Sequence, residues 1–188
     1  MLERLKHSLE NAPVVKFPDY DYFVFSIADG IPTIETDLFT EVIDAMTSMI
    51  QGQYDKIVTA EAMGIHLAAG LSLRTGKPFT IIRKRKYGLP DETEFDQITG
   101  YSSRKMYING LKKGDRVVLV DDLISTGGTL IGILGALNKI GVEVVDAIIV
   151  IDKGTGRAKV EEKFGIKIKT LVSIQIKDGK VVLLPDRK

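Results

Sequence analysis

Four short apolar runs constrain the fold most: Lys56-Ile-Val-Thr-Ala60, Phe79-Thr-Ile-Ile82, Val117-Val-Leu-Val120 and the stretch from Val142 to Ile151. Such runs leave no polar face for water, so as strands they must be covered on both sides, the condition of a parallel sheet inside an α/β domain. Helical segments separate them. Residues 62–75 are rich in Leu and Ala and are closed by Gly76 and Pro78, while Leu130, Ile133, Leu134 and Leu137 repeat at i, i+3, i+4, i+7. The alternation predicts a parallel, doubly wound sheet whose ligand crevice lies beyond the carboxyl ends of the strands, at the loops after residues 60, 82, 120 and 151.

The remaining chain fits around that core. A short helix is expected over 2–11 and a strand from Tyr22 to Ile27. Thr36 is placed to cap a helix whose apolar positions are Phe39, Val42, Ile43, Met46 and Ile50, with Gly52 to end it. Residues 156–164 suggest a short charged helix. Ile168 to Ile176, a turn at Asp178-Gly179, and Val181 to Leu184 suggest a closing hairpin. From Lys84 to Lys105 the periodicity is lost and Gly88, Pro90 and Gly100 intervene, which predicts a long mobile lid. No repeat or linker divides the 188 residues, so one domain is expected over 1–188.

Charge and cysteine content narrow the function. Lys and Arg number 26 against 25 Asp and Glu, a net charge of +1, so no overall basic field exists to hold nucleic acid or an anionic membrane. The absence of cysteine excludes thiol catalysis, zinc ribbons, iron–sulfur clusters and disulfide scaffolds, and it fits a reducing compartment. The first ten residues alternate charged with apolar side chains, unlike a signal peptide, and no window approaches 18 apolar residues. A cytoplasmic protein with neither nucleic-acid nor membrane partner is expected.

Chemistry concentrates in Val117-Val-Leu-Val-Asp-Asp-Leu-Ile-Ser-Thr-Gly-Gly-Thr129. An apolar strand ends in two carboxylates, Asp121 and Asp122, and passes into Ser125, Thr126, Gly127, Gly128 and Thr129 at the start of a helix. Glycines let the backbone approach an anion, the first helical N–H groups point at it, and the hydroxyls add donors. Carboxylates beside a phosphate cradle repel its ligand unless they face ribose hydroxyls or a hydrated Mg²⁺. A sugar phosphate satisfies both halves. Arg83-Lys-Arg-Lys86 follows a strand on the same side of the sheet, where cations suit a pyrophosphate. Gly154-Thr-Gly156 lacks the third glycine of a dinucleotide fingerprint, since Lys159 holds that place, and no Walker motif is present. Asp152 follows a strand at the crevice end and is a candidate to line a base pocket. Phe25, Tyr87 and Tyr101 are candidates to stack on a base, and His7 and His66 receive no role.

The segment from Val117 to Thr129 resembles the phosphoribosyl pyrophosphate (PRPP) signature of the type I phosphoribosyltransferases. The resemblance covers roughly residues 20–150. Glu61-Ala-Met-Gly-Ile65 is similar to the pyrophosphate loop, and Arg83 to Pro90 resembles the Arg-Lys segment of the adenine and xanthine branches. It implies a core over about 20–155 and a small hood formed by the N-terminal segment and the C-terminal hairpin. It also implies transfer of a 5-phosphoribosyl group from PRPP to a purine base, with Mg²⁺ carried mainly on PRPP and no protein metal ligand assigned, in a homodimer. Asp121 and Asp122 would be catalytic, Ser125 to Thr129 would hold the 5′-phosphate, and Glu61, Ala62, Met63, Gly64, Arg83 and Lys84 the pyrophosphate. Tyr87, Tyr101, Ser102 and Asp152 would belong to the lid and base pocket.

Two departures bear on the base. Met63 stands where the adenine pattern has Arg, and Gly100 where it has Glu before a loop Tyr, while the Gly-Tyr-Ser-Ser stretch resembles the archaeal hypoxanthine branch. Hypoxanthine, with guanine accepted, is the expected substrate. Adenine and xanthine transfer are alternatives, as is a non-catalytic PRPP or purine sensor, though a sensor would carry a DNA-binding element for which the first 20 residues are too short and too neutral.

Overall fold

The computed structural model describes residues 2–18, 20–99 and 102–185. Its centre is a six-stranded sheet in the order β10-β9-β8-β7-β3-β4, with β3 (Lys56–Ala60), β4 (Phe79–Ile82), β7 (Arg116–Ile124), β8 (Glu143–Asp152) and β9 (Ile168–Lys177) parallel. β10 (Lys180–Leu184) pairs antiparallel at one edge.

The runs in β3, β7 and β8 each serve two cores, whereas the edge strand β4 buries only Ile82 in one of them and leaves Phe79 exposed, against the expectation that it be covered on both sides. Val118 and Val120 of β7, with Ile148 and Val150 of β8, join Val42, Met46, Leu67 and Leu71 in one buried cluster. Val117 and Leu119, with Ala147 and Ile149, join Leu130, Ile133, Leu134 and Leu137 in the other. Alternate side chains of a strand face opposite ways, so α3 (Thr36–Met49) and α4 (Gly64–Thr75) cover one face and α5 (Gly128–Ile140) and α6 (Gly156–Phe164) the other. α1 (Glu3–Glu10) packs against α3 and β10.

Several expectations need correction. The strand expected from Tyr22 to Ile27 stops early: β1 (Val14–Lys16) pairs with β2 (Asp21–Phe23), and Ser26–Asp29 turns into the short α2. Asp29 causes the turn, since its carboxylate accepts from the Phe25 N–H at 2.8 Å and from the Tyr22 hydroxyl. Thr36 is the first residue of α3, and Glu35 occupies the cap position. β7 continues through Asp121 and Asp122 to Ile124, because β8 extends to Asp152 and pairs with it that far. Phe25 is 1% exposed and belongs to the core, so its ring is not free to stack on a base.

The largest correction is the expected irregular lid. It holds β5 (Thr93–Thr99) and the start of β6 (Ser102–Ile108), which continues past Lys105, and the two pair antiparallel from Thr93↔Ile108 to Thr99↔Ser102. Half-buried Phe95 and Gln97 alternate with exposed Glu94 and Asp96, a period-two pattern that its charged members conceal. Two backbone hydrogen bonds between Arg83 and Tyr107, at 2.9 and 2.7 Å, tie the hairpin to the end of β4. Gly100 and Tyr101, including the expected role of Tyr101, lie outside the described residues. The closing hairpin is present, with Asp178 and Gly179 both at positive φ as a two-residue turn requires, and it extends the central sheet.

Candidate functional site

The carboxyl ends of β3, β4, β7 and β8 bring the expected residues together. Asp121 and Asp122 are half-buried, and the Asp122 N–H donates to Asp121 Oδ1 at 3.1 Å. Burial and the neighbouring Asp122 charge hold the Asp121 carboxyl well above the usual carboxylate range. Burial likewise raises Asp122, with the charge of Asp29 adding to it. Both carboxyls are thus biased toward the protonated form, and ionising both calls for hydroxyl donors or positive charge.

After Ile124 the chain enters the Ser125–Thr129 loop. Gly127 occupies the cap position of α5 at φ +81°, a left-handed conformation natural to glycine, and α5 starts at Gly128 with its first N–H groups facing outward from the helix end. Ser125 and Thr126 are exposed. Gly156, at the start of α6, backs the loop: its N–H donates to the Ser125 carbonyl at 2.8 Å, and a Cβ there would collide with Gly127 N and Ser125 O. The sequence offers this glycine in Gly154-Thr-Gly156, where comparison with a dinucleotide fingerprint misses its use.

The loop after β3 meets the pair from the other side. A Cβ on Gly64 would collide with Thr59 Oγ1 and come within 3.2 Å of Asp121 Oδ1, so glycine allows α4 to start against the carboxylates. The Glu61–Ala62 peptide is cis. Glu61 reaches β4: its Oε1 accepts from the Lys84 N–H at 2.5 Å, and its Oε2 lies 3.2 Å from Arg83 Nε. Met63 is half-buried and Ala62 exposed beside it.

The expected lid and base residues are spread more widely. Tyr87 is 51% exposed with the Arg85 guanidinium 5.7 Å from its ring centroid. Ser102 opens β6. Asp152 is 1% exposed at the end of β8, with Arg157 Nη1 4.0 Å away. Next to it Lys153, not singled out by the sequence, is half-buried with Nζ 5.3 Å from the Phe23 ring centroid and 3.5 Å from the Asp21 carbonyl. Burial lowers the Lys153 ammonium pKa, and Asp21 opposes that. Tyr22 and Asp29 also approach the carboxylate pair; burial, followed by the hydrogen bond to Asp29, raises the Tyr22 phenol.

The same arrangement has relatives. Residues 34–182 match the family described as the phosphoribosyl transferase domain. The chain belongs to the phosphoribosyltransferase family. Within it, the chain is 54% identical over 181 residues to a hypoxanthine/guanine phosphoribosyltransferase of Methanocaldococcus infernus, covering 96% of this chain and 99% of that one. It is 49% identical over 185 residues to one of Methanothermus fervidus, covering 98% of each. Among solved structures, an adenine phosphoribosyltransferase of Thermoanaerobacter pseudethanolicus superposes with a TM-score of 0.77 at 25% identity, over 92% of this chain and 99% of that one. As a phosphoribosyltransferase, the chain carries its acidic pair and glycine-backed loop where the crevice of a doubly wound sheet requires them.

Proposed function

We propose that the protein transfers the 5-phosphoribosyl group of PRPP to hypoxanthine and guanine, releasing pyrophosphate in purine salvage. The single observation that carries this reading is the half-buried Asp121–Asp122 pair beside a helix-capping loop pinned by Gly156. The near 50% identity to archaeal hypoxanthine/guanine enzymes supports the choice of base.

In this reading Ser125 to Thr129 hold the 5′-phosphate and the carboxylates accept from the ribose hydroxyls. As the bond from the anomeric carbon to pyrophosphate breaks, positive charge grows on the sugar, and Asp121 and Asp122 stabilise it. Glu61, Ala62, Met63 and Gly64 frame the pyrophosphate, with Arg83 and Lys84 held beside them by Glu61. Lys153, half-buried beside Asp152 at the end of β8, would supply a donor for a 6-oxo group. Tyr87, Tyr101, Ser102 and Asp152 stay assigned to the lid and base pocket. Among the described residues no group of three or more His, Asp or Glu side chains is arranged to hold a metal ion. Asp121 and Asp122, which accept when ionised, would suit a Mg²⁺ carried on PRPP oxygens beside them; when bound, the metal would neutralise charge on the leaving group. We further infer one domain with a hood from the terminal segments, a homodimer, and a cytoplasmic location. Among the described residues no helix is long and apolar enough to cross a membrane.

Turnover efficiency with hypoxanthine, guanine, xanthine and adenine at saturating PRPP and Mg²⁺ tests the reading. Hypoxanthine and guanine present a 6-oxo acceptor and an N1–H donor where adenine presents the reverse, and such a mismatch is worth up to about 10⁴-fold. Adenine matching hypoxanthine would overturn the choice of base while leaving phosphoribosyl transfer in place.

A further inference from the structure

One polar contact joins the β5–β6 hairpin to the loop that opens α5. Gln97, half-buried on β5, directs Nε2 at Thr129 Oγ1 from 2.7 Å. Packing sets its position independently of that bond. β5 lies along α5 so closely that a Cβ on Gly132 would reach within 3.0 Å of the Asp96 carbonyl oxygen and 3.2 Å of Phe95 Cε2. Phe95 packs against the cluster containing Leu130, Ile133 and Leu134.

A threonine hydroxyl has one proton and two lone pairs, and it rotates to suit its neighbours. When it accepts from an amide N–H, its proton is left for another acceptor. In the first turn of α5, an anion bound at the helix N-terminus would be such an acceptor. We propose that Gln97 is a positioning residue of the 5′-phosphate subsite: by donating to Thr129 Oγ1 it turns the Thr129 proton toward the phosphate, and so makes the hairpin part of that subsite. The proposal rests on the assignment of Ser125 to Thr129 to the 5′-phosphate. It gives the hairpin a role distinct from covering the crevice, because it ties the position of β5 to occupancy of the phosphate loop.

Binding of ribose 5-phosphate and steady-state kinetics test it in Gln97→Met, Gln97→Glu, Thr129→Val and the Gln97→Met/Thr129→Val double variant. A neutral hydrogen bond corresponds to about 3- to 10-fold in affinity. Gln97→Met is expected to weaken ribose 5-phosphate and raise the KM for PRPP by that factor, with kcat changed less than about twofold. The double variant should bind no more weakly than Thr129→Val alone, since both substitutions remove one arrangement. Gln97→Glu can only accept from Thr129, so it should bind at least as weakly as Gln97→Met at an unchanged melting temperature. Wild-type affinity in Gln97→Met or Gln97→Glu beside a weakened Thr129→Val would overturn the proposal and spare the phosphate-loop assignment, as would additive losses in the double variant. Wild-type affinity in both Thr129→Val and Ser125→Ala would overturn that assignment, and the proposal with it.

Discussion

Asp121 shows how one residue trades stability for chemistry. In the unfolded chain its carboxyl titrates near the ordinary value of about 3.9, while in the folded chain it is held well above the carboxylate range. Between those two values the folded protein keeps a proton that the unfolded chain has released, so this group's contribution to stability is lost as pH rises through that window. Asp121→Asn is accordingly expected to raise stability by about 1 kcal/mol at pH 7–8 and by little near pH 4, with activity abolished; denaturant melts at the two pH values check it. Asp122→Ala should lower kcat/KM by about 10- to 150-fold in a folded protein, the equivalent of one charge-assisted hydrogen bond. Gly156→Ala acts from outside the crevice. Its Cβ would push Ser125, Thr126 and Gly127 away from α6, so the KM for PRPP should rise with a smaller change in the KM for the base.

At the scale of elements, the hairpin and its seat on α5 carry the consequence. Gly132 is the close contact, and Gly132→Val would push Phe95 and Asp96 away from the helix. Hydrogen exchange over 93–97 and 104–108 should then quicken while β7 and β8 keep their protection, because opening is local to the ladder. Equal exchange in the variant and the parent would mean that β5 is held by something other than this contact. β7 illustrates a different point. Its pairing with β8 through Ile124 places both carboxylates within the sheet, which fixes their backbone while the loop beyond them turns at Gly127. An acidic pair in a loop would have to be ordered by its ligand; one held in a strand is ordered beforehand.

For the whole molecule, two cores share one sheet, and the crevice lies where neither covers it. Ligands that bind there stabilise the folded chain by mass action. A PRPP analogue with Mg²⁺ at about 100 times its Kd is expected to raise the melting temperature by about 5–10 °C, and Asp122→Ala should reduce that shift. An unchanged melting temperature under those conditions would argue against the crevice as the binding site. Sedimentation velocity across concentrations tests the homodimer.

The sequence by itself determined the parallel sheet, the placement of β3, β4 and α6, and the acidic pair with its glycine loop. Each rests on local physics: an apolar run seeks burial, on both faces at the centre of β7 and β8 and only at Ile82 in the edge strand β4, and a helix start leaves unpaired N–H groups that glycine lets a ligand approach. Tertiary structure alone decided where strands stop and what charged segments do. Asp29 turns the chain into α2 only because it can accept from Tyr22 and Phe25 together, and β7 passes Asp122 only because β8 continues beside it. The β5–β6 ladder needed Phe95 to find α5, a contact between residues distant in sequence. The uses of Gly156 and Gln97 were hidden for the same reason: each depends on a partner that only folding brings near, Ser125 for one and Thr129 for the other.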